Sequence, residues 1–378
     1  MYERIRPYIF IKDNIQFHYI PDTPANELYR YWLPNPEKHQ PEQSRKFFNS
    51  NFSHAKAGFE FYLNNIIRLF EKDDIDEAAK FIGCLLHMLQ DSCFGLHSLE
   101  GPYGMNIFAF DGLFDKTNDF SQSPLYILSA LEFGPEELSG YTPAQLGESV
   151  PEMIIHLYAA YVKTVCASRR ICFKVIQNSR NGNTDGNPAL IREMFSGTVK
   201  ICADTLFSAR AIACRRFQNS GHLAKTCLTD LEPFKFPLGG SGGYRFFSFQ
   251  RDFAVDAKMQ KIPLALKMDN HQVVAFEKGI SLGSHFQASL EYWLPDNLFS
   301  VFEACIGLHP DPLSSQSGIK IQVLNNGKCV RKLNFDINHP TARIKLKNPR
   351  GRFGFKISYS GKPQTDIIVI ADPHLKKP

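Results

Sequence analysis

The chain lacks an apolar run of the roughly 18 residues that a membrane-spanning helix needs. It also lacks internal repeats and low-complexity segments. Its opening, MYERIRPYIFIKDN, has no apolar core followed by small residues, so no secretory signal is visible there. Charge of one sign is scarce. The formal balance is +5 over 378 residues, which makes no electrostatic case for a nucleic-acid partner. Nine cysteines are present, spread from Cys84 to Cys329, and no two form a C-x-x-C pair. A disulfide framework or a cysteine zinc site is therefore unsupported. Cys84, Cys166, Cys202 and Cys214 lie in apolar runs, where a free thiol behaves as a small buried hydrophobe. The glycines of LGGSGGY precede a β-type run rather than a helix, which argues against a phosphate-cradling loop.

What the chain does have is apolar material and length. Hydrophobic residues make up 43% and phenylalanines number 32, and a chain of this size divides its core between two domains. Between about residues 50 and 220 the periodicity is helical. HAKAGFEFYLNNIIRLFEKD places Phe59, Leu63, Ile66, Ile67 and Phe70 on one face. DDIDEAAKFIGCLLHMLQDS opens on acidic residues that suit a helix N-terminus. SVPEMIIHLYAAYVKTVCASRRICFKVIQ and ALIREMFSGTVKICADTLFSARAIACRRF add two long helices. Beyond PFKFPLGGSGGYRFF the pattern alternates, in FSVFEACIGL, GIKIQVLNNGKCVRKLNF, TARIKLK, RFGFKISYS and TDIIVIAD. These are the short strands of an antiparallel sandwich, and Asn-Gly in NNGK signals a type I′ hairpin. The expected architecture is multidomain, α plus β: an all-α helical domain over 1–220, a linker over 221–243 and an antiparallel β-sandwich, or jelly roll, over 244–378.

One stretch carries chemistry. HMLQDSCFGLH sets His87 and Asp91 four residues apart at the end of an apolar helix, on one face. Gly95 lets the chain leave the helix, so that His97 can fold back toward them. Two imidazoles and a carboxylate suit a zinc ion. The structural alternative is a packed His87, a helix-ending Asp91 and a loop His97.

The run AAKFIGCLLHMLQDSCFGLHS resembles the central motif of the zinc-dependent phospholipase C and fungal single-strand nuclease superfamily, in which Leu-Gly-x-x-x-His-x-x-x-Asp is followed by a His six residues later. The offsets match at His87, Asp91 and His97, and the resemblance covers about residues 20–220. It implies an all-α phospholipase C-like fold holding one to three zinc ions. It makes Asp91 a bridging carboxylate and His87 a ligand of one ion, completed by Asp22 and by either His39 or His54. His97 would begin a second site with Asp111 and Asp115, where Asp111 stands in place of the family's His. The family's first-residue ligand has no counterpart at Met1, and His18 is the available substitute. Asp91 and Asp22 would be the catalytic pair, the latter orienting the attacking water.

The last part of the chain, about 245–378, resembles the putative carbohydrate-binding modules called NPCBM, of the galactose-binding-like kind, through FSVFEACIGLHPD, IKIQVLNNGKCV and DIIVIADPHL. Three functions follow as expectations: a phospholipase C-like phosphodiester hydrolase acting on a phospholipid or other phosphoester, a single-strand nuclease of the same superfamily, or a non-catalytic carbohydrate- or surface-binding protein on a degenerate scaffold. The resemblance implies a secreted or cell-surface location. Two weaker signals have structural readings. His156, in MIIHLYAAY, reads as a packed histidine. NGNTDGNP at Asn181–Pro188 imitates half a calcium loop but has Arg192 at its twelfth position, where the bidentate Glu belongs, and reads as a solvated turn.

Overall fold

The computed structural model describes residues 52–93, 95–99, 138–217, 220–235, 249–256, 258, 260–268, 272–283, 288–310, 318–336, 338–359 and 366–378. The chain forms two compact units, Met1–Ser220 and Gly221–Pro378. Among the described residues the first is helical and the second is built of antiparallel strands.

The described residues of the helical unit form α1 (Phe52–Glu71), α2 (Ile75–Cys93), α3 (Val150–Arg180) and α4 (Asn187–Cys214), with a 3₁₀ stretch, Gly95–Leu99, after α2. Asp74 starts α2: its carboxylate accepts from Glu77 N at 3.3 Å, and Asp76 and Glu77 fill the first turn. That places negative charge at the positive end of the helix dipole. The start of α3 resembles a capping box, with the reciprocal bond shifted to the residue before the cap. Ser149 Oγ accepts from Glu152 N at 3.4 Å, and Glu152 Oε2 accepts from Glu148 N at 2.8 Å. The core is the apolar stripe that the periodicity marks: Phe59, Leu63 and Ile66 of α1, Ile82, Leu85 and Leu89 of α2, and Tyr161 and Val165 of α3 are buried. The turn between α3 and α4 carries amide side-chain hydrogen bonds. Asn178 donates to Asn187 Oδ1 at 3.0 Å, and Asn187 donates to Ser179 Oγ at 3.1 Å. Among the free thiols Cys84 and Cys202 are buried, Cys166 is half-buried and Cys214 is exposed. The last corrects the expectation from its apolar surroundings, because Cys214 ends α4 on an open face.

In the second unit, one sheet runs β12-β9-β14-β7-β2, with β1 also paired to β14, and the other runs β11-β10-β13-β8. The strands are β1 (Lys225–Cys227), β2 (Gln250–Arg251), β7 (Gly279–Gly283), β8 (Ala288–Leu294), β9 (Val301–Leu308), β10 (Ile319–Asn325), β11 (Lys328–Phe335), β12 (Thr341–Lys347), β13 (Gly351–Tyr359) and β14 (Ile367–Lys376). Two small hairpins, β3 (Ala254–Val255) with β4 (Lys261–Ile262) and β5 (Leu264–Lys267) with β6 (Val273–Phe276), complete it. Phe302, Phe353 and Phe355 are fully buried and meet edge to face or tilted, with centroids 4.8–6.1 Å apart, an arrangement that adds to their area burial. The β10–β11 hairpin turns through Asn326 and Gly327 at φ 50° and 74°, the type I′ geometry that NNGK demands.

The segment read as linker differs from its expectation. Its described part, through Lys235, belongs to the sandwich. β1 pairs with β14 in the register Lys225↔Lys376 and Cys227↔His374. Ten residues after Lys225, Lys235 bridges to Glu291 on β8. The physical reason is that the end of β14, which β7 does not reach, and the edge strand β8 both offer unpaired backbone groups, and this segment satisfies some of each. Glu291 N donates to Lys235 O at 2.7 Å, and Phe234 N donates to Glu291 O at 3.0 Å.

Candidate functional site

In the helical unit, α2 carries His87 and Asp91 one turn apart, both half-buried. Gly95 has φ 61°, a left-handed conformation that glycine adopts without cost, and the chain leaves the helix there. The 3₁₀ stretch that follows is pinned by buried polar side chains. Arg169 on α3 donates through Nε and Nη2 to Ser98 O at 3.1 and 2.9 Å. Cys172 Sγ donates to Gly95 O at 3.1 Å. Cys93 O, at the end of α2, accepts from Ser168 Oγ at 2.5 Å and Thr198 Oγ1 at 3.2 Å. The backbone that carries His97 is thus fixed against α2, α3 and α4. The side chains of His97 and His54 are outside the described atoms, and His18, Asp22, His39, Asp111 and Asp115 lie outside the described residues altogether. Among the described residues no three His, Cys, Asp or Glu side chains come together as a metal cluster. His87 and Asp91 are a donor pair of the right chemistry for zinc. His156 is half-buried with Nδ1 2.9 Å from Leu146 O, the packed role read from its apolar helix.

The second site went unread in the sequence. An open cavity of about 510 Å³ lies on the sandwich, lined by side chains of β1, β9, β11, β12 and β14. Register builds it. On β9, Phe302, Ala304 and Ile306 face the core, while Glu303 and Cys305 face out. Glu303 lies opposite Lys345 on β12 and opposite His374 on β14. Cys305 lies opposite Arg343. The alignment with β14 depends on a bulge between Ala371 and His374, where Asp372 adopts φ 52°. The extra residue resets the alternation and turns His374 onto the same face as Glu303.

Ion pairs order this face. Glu303 accepts from Lys345 at 2.8 Å and also from Lys376. The two ammonium groups hold its carboxyl at about 2, well below the usual carboxylate range. His374 Nε2 is 3.0 Å from Asp372 Oδ1. Burial, followed by the neighbouring Lys225, moves His374 below the ordinary histidine range. The groove therefore gathers hydrogen-bonding side chains around a carboxylate that two lysines hold in place. The available signal was alternation itself: the outward positions of TARIKLK include Arg343, Lys345 and Lys347.

No family model matches this chain, and no curated protein matches it. Solved structures are similar to part of this chain. The CBM51 from Clostridium perfringens GH95, in complex with methyl-galactose, is 18% identical with a TM-score of 0.32, covering 40% of this chain and 99% of that one. The tandem CBM51 modules of Sp3GH98, from Streptococcus pneumoniae SP3-BS71, are 22% identical with a TM-score of 0.34, covering 41% and 48%. CBM51-2 in complex with GlcNAc, with the INT domains of Clostridium perfringens ZmpB, is 18% identical with a TM-score of 0.33, covering 40% of this chain and only 31% of that one. The sandwich assignment itself stands on the strand pairings of this chain. No helix among the described residues is long and apolar enough to cross a membrane.

Proposed function

We propose that the sandwich unit is a carbohydrate-binding module and that the groove over β1, β14, β9 and β12 is its binding face. The observation that carries this reading is the open cavity of about 510 Å³, lined by polar side chains around a Glu303 held by two lysines. A sugar presents many hydroxyls at set angles, and a carboxylate held between two lysines accepts from two of them without rearranging. Pre-ordering of that kind removes an entropic cost from binding. Titration of the full-length protein with a panel of mono- and oligosaccharides, starting with methyl-galactoside and GlcNAc, tests it. A saturable heat that Glu303→Ala abolishes is expected. Absence of any sugar binding across the panel overturns the reading.

A second reading concerns the helical unit, and the α2 pair favours it: a zinc-dependent phosphodiester hydrolase, phospholipase C-like in its substrate. His87 and Asp91 would hold the ion, which when bound lowers the pKa of a coordinated water. Asp91, acceptor-only when ionised, would supply negative charge beside the metal. Ser168, Arg169 and Thr198 would keep the end of α2 and the turn bearing His97 in place. Metal content and hydrolysis of a p-nitrophenyl phosphodiester and of phosphatidylcholine are the test. Asp91→Asn should lose both metal and turnover while His156→Gln keeps them. A parent protein free of zinc after purification in its presence, or an Asp91→Asn variant with full metal, removes this reading.

A further inference from the structure

The charge of the groove narrows the sugar class, an inference that rests on the carbohydrate reading above. Five cations line it, Lys225, Arg331, Arg343, Lys345 and Lys376, against two carboxylates. Both carboxylates are committed, Glu303 to Lys345 and Lys376 and Asp372 to His374. Lys225, Arg331 and Arg343 make no ion pair among the described residues. Lys225 also lies directly opposite Lys376 in the β1–β14 register, and like charges at such a pair are destabilising. An arrangement that costs stability in the empty groove gains a favourable partner when an anion occupies it.

The centre of the groove limits what that anion is. Glu303 stands between the cations, and its oxygens accept hydrogen bonds but repel any anionic group brought against them. A ligand that satisfies both features carries hydroxyl donors and anionic groups on one framework. A DNA backbone has the charges without the donors. Single-stranded nucleic acid is held by stacking on aromatic rings, and no aromatic residue is among the described residues that line the groove. The same lack disfavours a neutral pyranose, whose apolar face an aromatic ring would cover. A membrane surface is planar, whereas this site is a concavity of about 510 Å³.

We infer that the groove binds an acidic glycan, a polysaccharide bearing sulfate or carboxylate groups. Arg343, Arg331 and Lys225 receive its anionic groups through charge-assisted hydrogen bonds, and Glu303 accepts from its hydroxyls.

The experiment is titration of the full-length protein with heparin oligosaccharides, oligogalacturonate, neutral dextran oligosaccharides with methyl-galactoside and GlcNAc, phosphatidylserine vesicles, and single-stranded DNA. Sulfated or carboxylated oligosaccharides should bind, with affinity falling as salt rises. Arg343→Ala and Lys225→Ala should each weaken binding by about tenfold. Lys356→Ala, exposed on β13 of the opposite sheet, should leave it unchanged and controls for net charge. Glu303→Gln separates glycan recognition from adsorption, since it should weaken the oligosaccharide and not the polyanions that lack hydroxyl donors. Binding of neutral sugars alone, lost in Glu303→Ala, overturns this inference and leaves the carbohydrate reading standing. Binding of no sugar overturns both. Preferential binding of vesicles or DNA, or equal loss in Lys356→Ala, marks nonspecific polyanion adsorption and also overturns it.

Discussion

The two units place their polar side chains in opposite ways. In the helical unit the notable ones point inward. Ser98, Ser168, Thr198 and Thr205 are buried, and Ser168, Thr198 and Arg169 all end on backbone carbonyls. In the sandwich Glu291 is likewise buried, among Ser289 and Arg352, but the groove gathers its polar groups on an outer sheet face, over Glu303. The backbone explains the contrast. A helix leaves its last carbonyls without partners, and α2 ends inside the unit, so neighbouring helices must supply donors. A sheet satisfies its carbonyls within the ladder, which releases side chains on one face for recognition. At these two sites, therefore, the helical unit uses polar residues for its own architecture, and the sandwich presents them.

The largest expected effect tests whether the units are energetically separate. Phe302→Ala empties the aromatic centre of the sandwich and should cost about 3–5 kcal/mol. Urea denaturation of the full chain, followed by amide infrared bands that distinguish helix from sheet, should show the sheet transition move and the helix transition stay. Movement of both together would merge the two halves of the comparison. Next comes the inward polar set. Ser168→Ala leaves Cys93 O with its bond from Thr198 and should cost about 1 kcal/mol. Adding Thr198→Val orphans a buried carbonyl and should bring the loss to about 2–3 kcal/mol, read on the helix band. A double variant no weaker than the single one would deny these side chains their architectural role.

A smaller effect belongs to the hairpin. Gly327→Ala forces a Cβ onto φ 74° and should cost about 1 kcal/mol, read on the sheet band alone. The smallest is a pH effect on the groove. His374 is held below its ordinary value of 6.5 by burial and by Lys225, against Asp372 and Asp230, which favour the charged form; Glu303 lies opposite it. The unfolded chain therefore takes up the proton first, and stability falls as pH drops through the ordinary histidine range. His374→Gln should remove that fall. The midpoint difference between about pH 7.5 and pH 5.5 should shrink by a degree or two. An unchanged difference would mean the ring does not face these charges.

Much of this was legible in the sequence. The four described helices follow from spacing, with acidic or proline starts at α2, α3 and α4, and the hairpin follows from Asn-Gly. The order of a helical region followed by an antiparallel sandwich was expected and is what the chain forms. Other features were hidden for identifiable reasons. β7, GISLG, is buried at every position, because the inner sheet covers one face and the β5–β6 hairpin packs near the other, so it shows no alternation. The bulge at Asp372 is a backbone event without a glycine to announce it. β1 is three residues long, too short for periodicity, which is why the segment reads as linker. The α2 pair was visible because a helix places it within five residues. The groove was not, because alternation assigns faces to a strand but not partners, and Glu303 meets Lys345 and His374 only through register.

The short strand β1 also gives the sandwich a mechanical character. Lys225 begins it and sits beside Lys376 at the end of β14, with Lys377 N donating to Ala224 O at 3.1 Å. A tension applied between these two points meets antiparallel neighbours at adjacent ends, so their hydrogen bonds break one at a time like a zipper instead of sharing the load. The first strand to peel carries Lys225 out of the groove while β9, β12 and the rest of β14 stay paired. Stretching the module would dim its positive face before it unfolds its core.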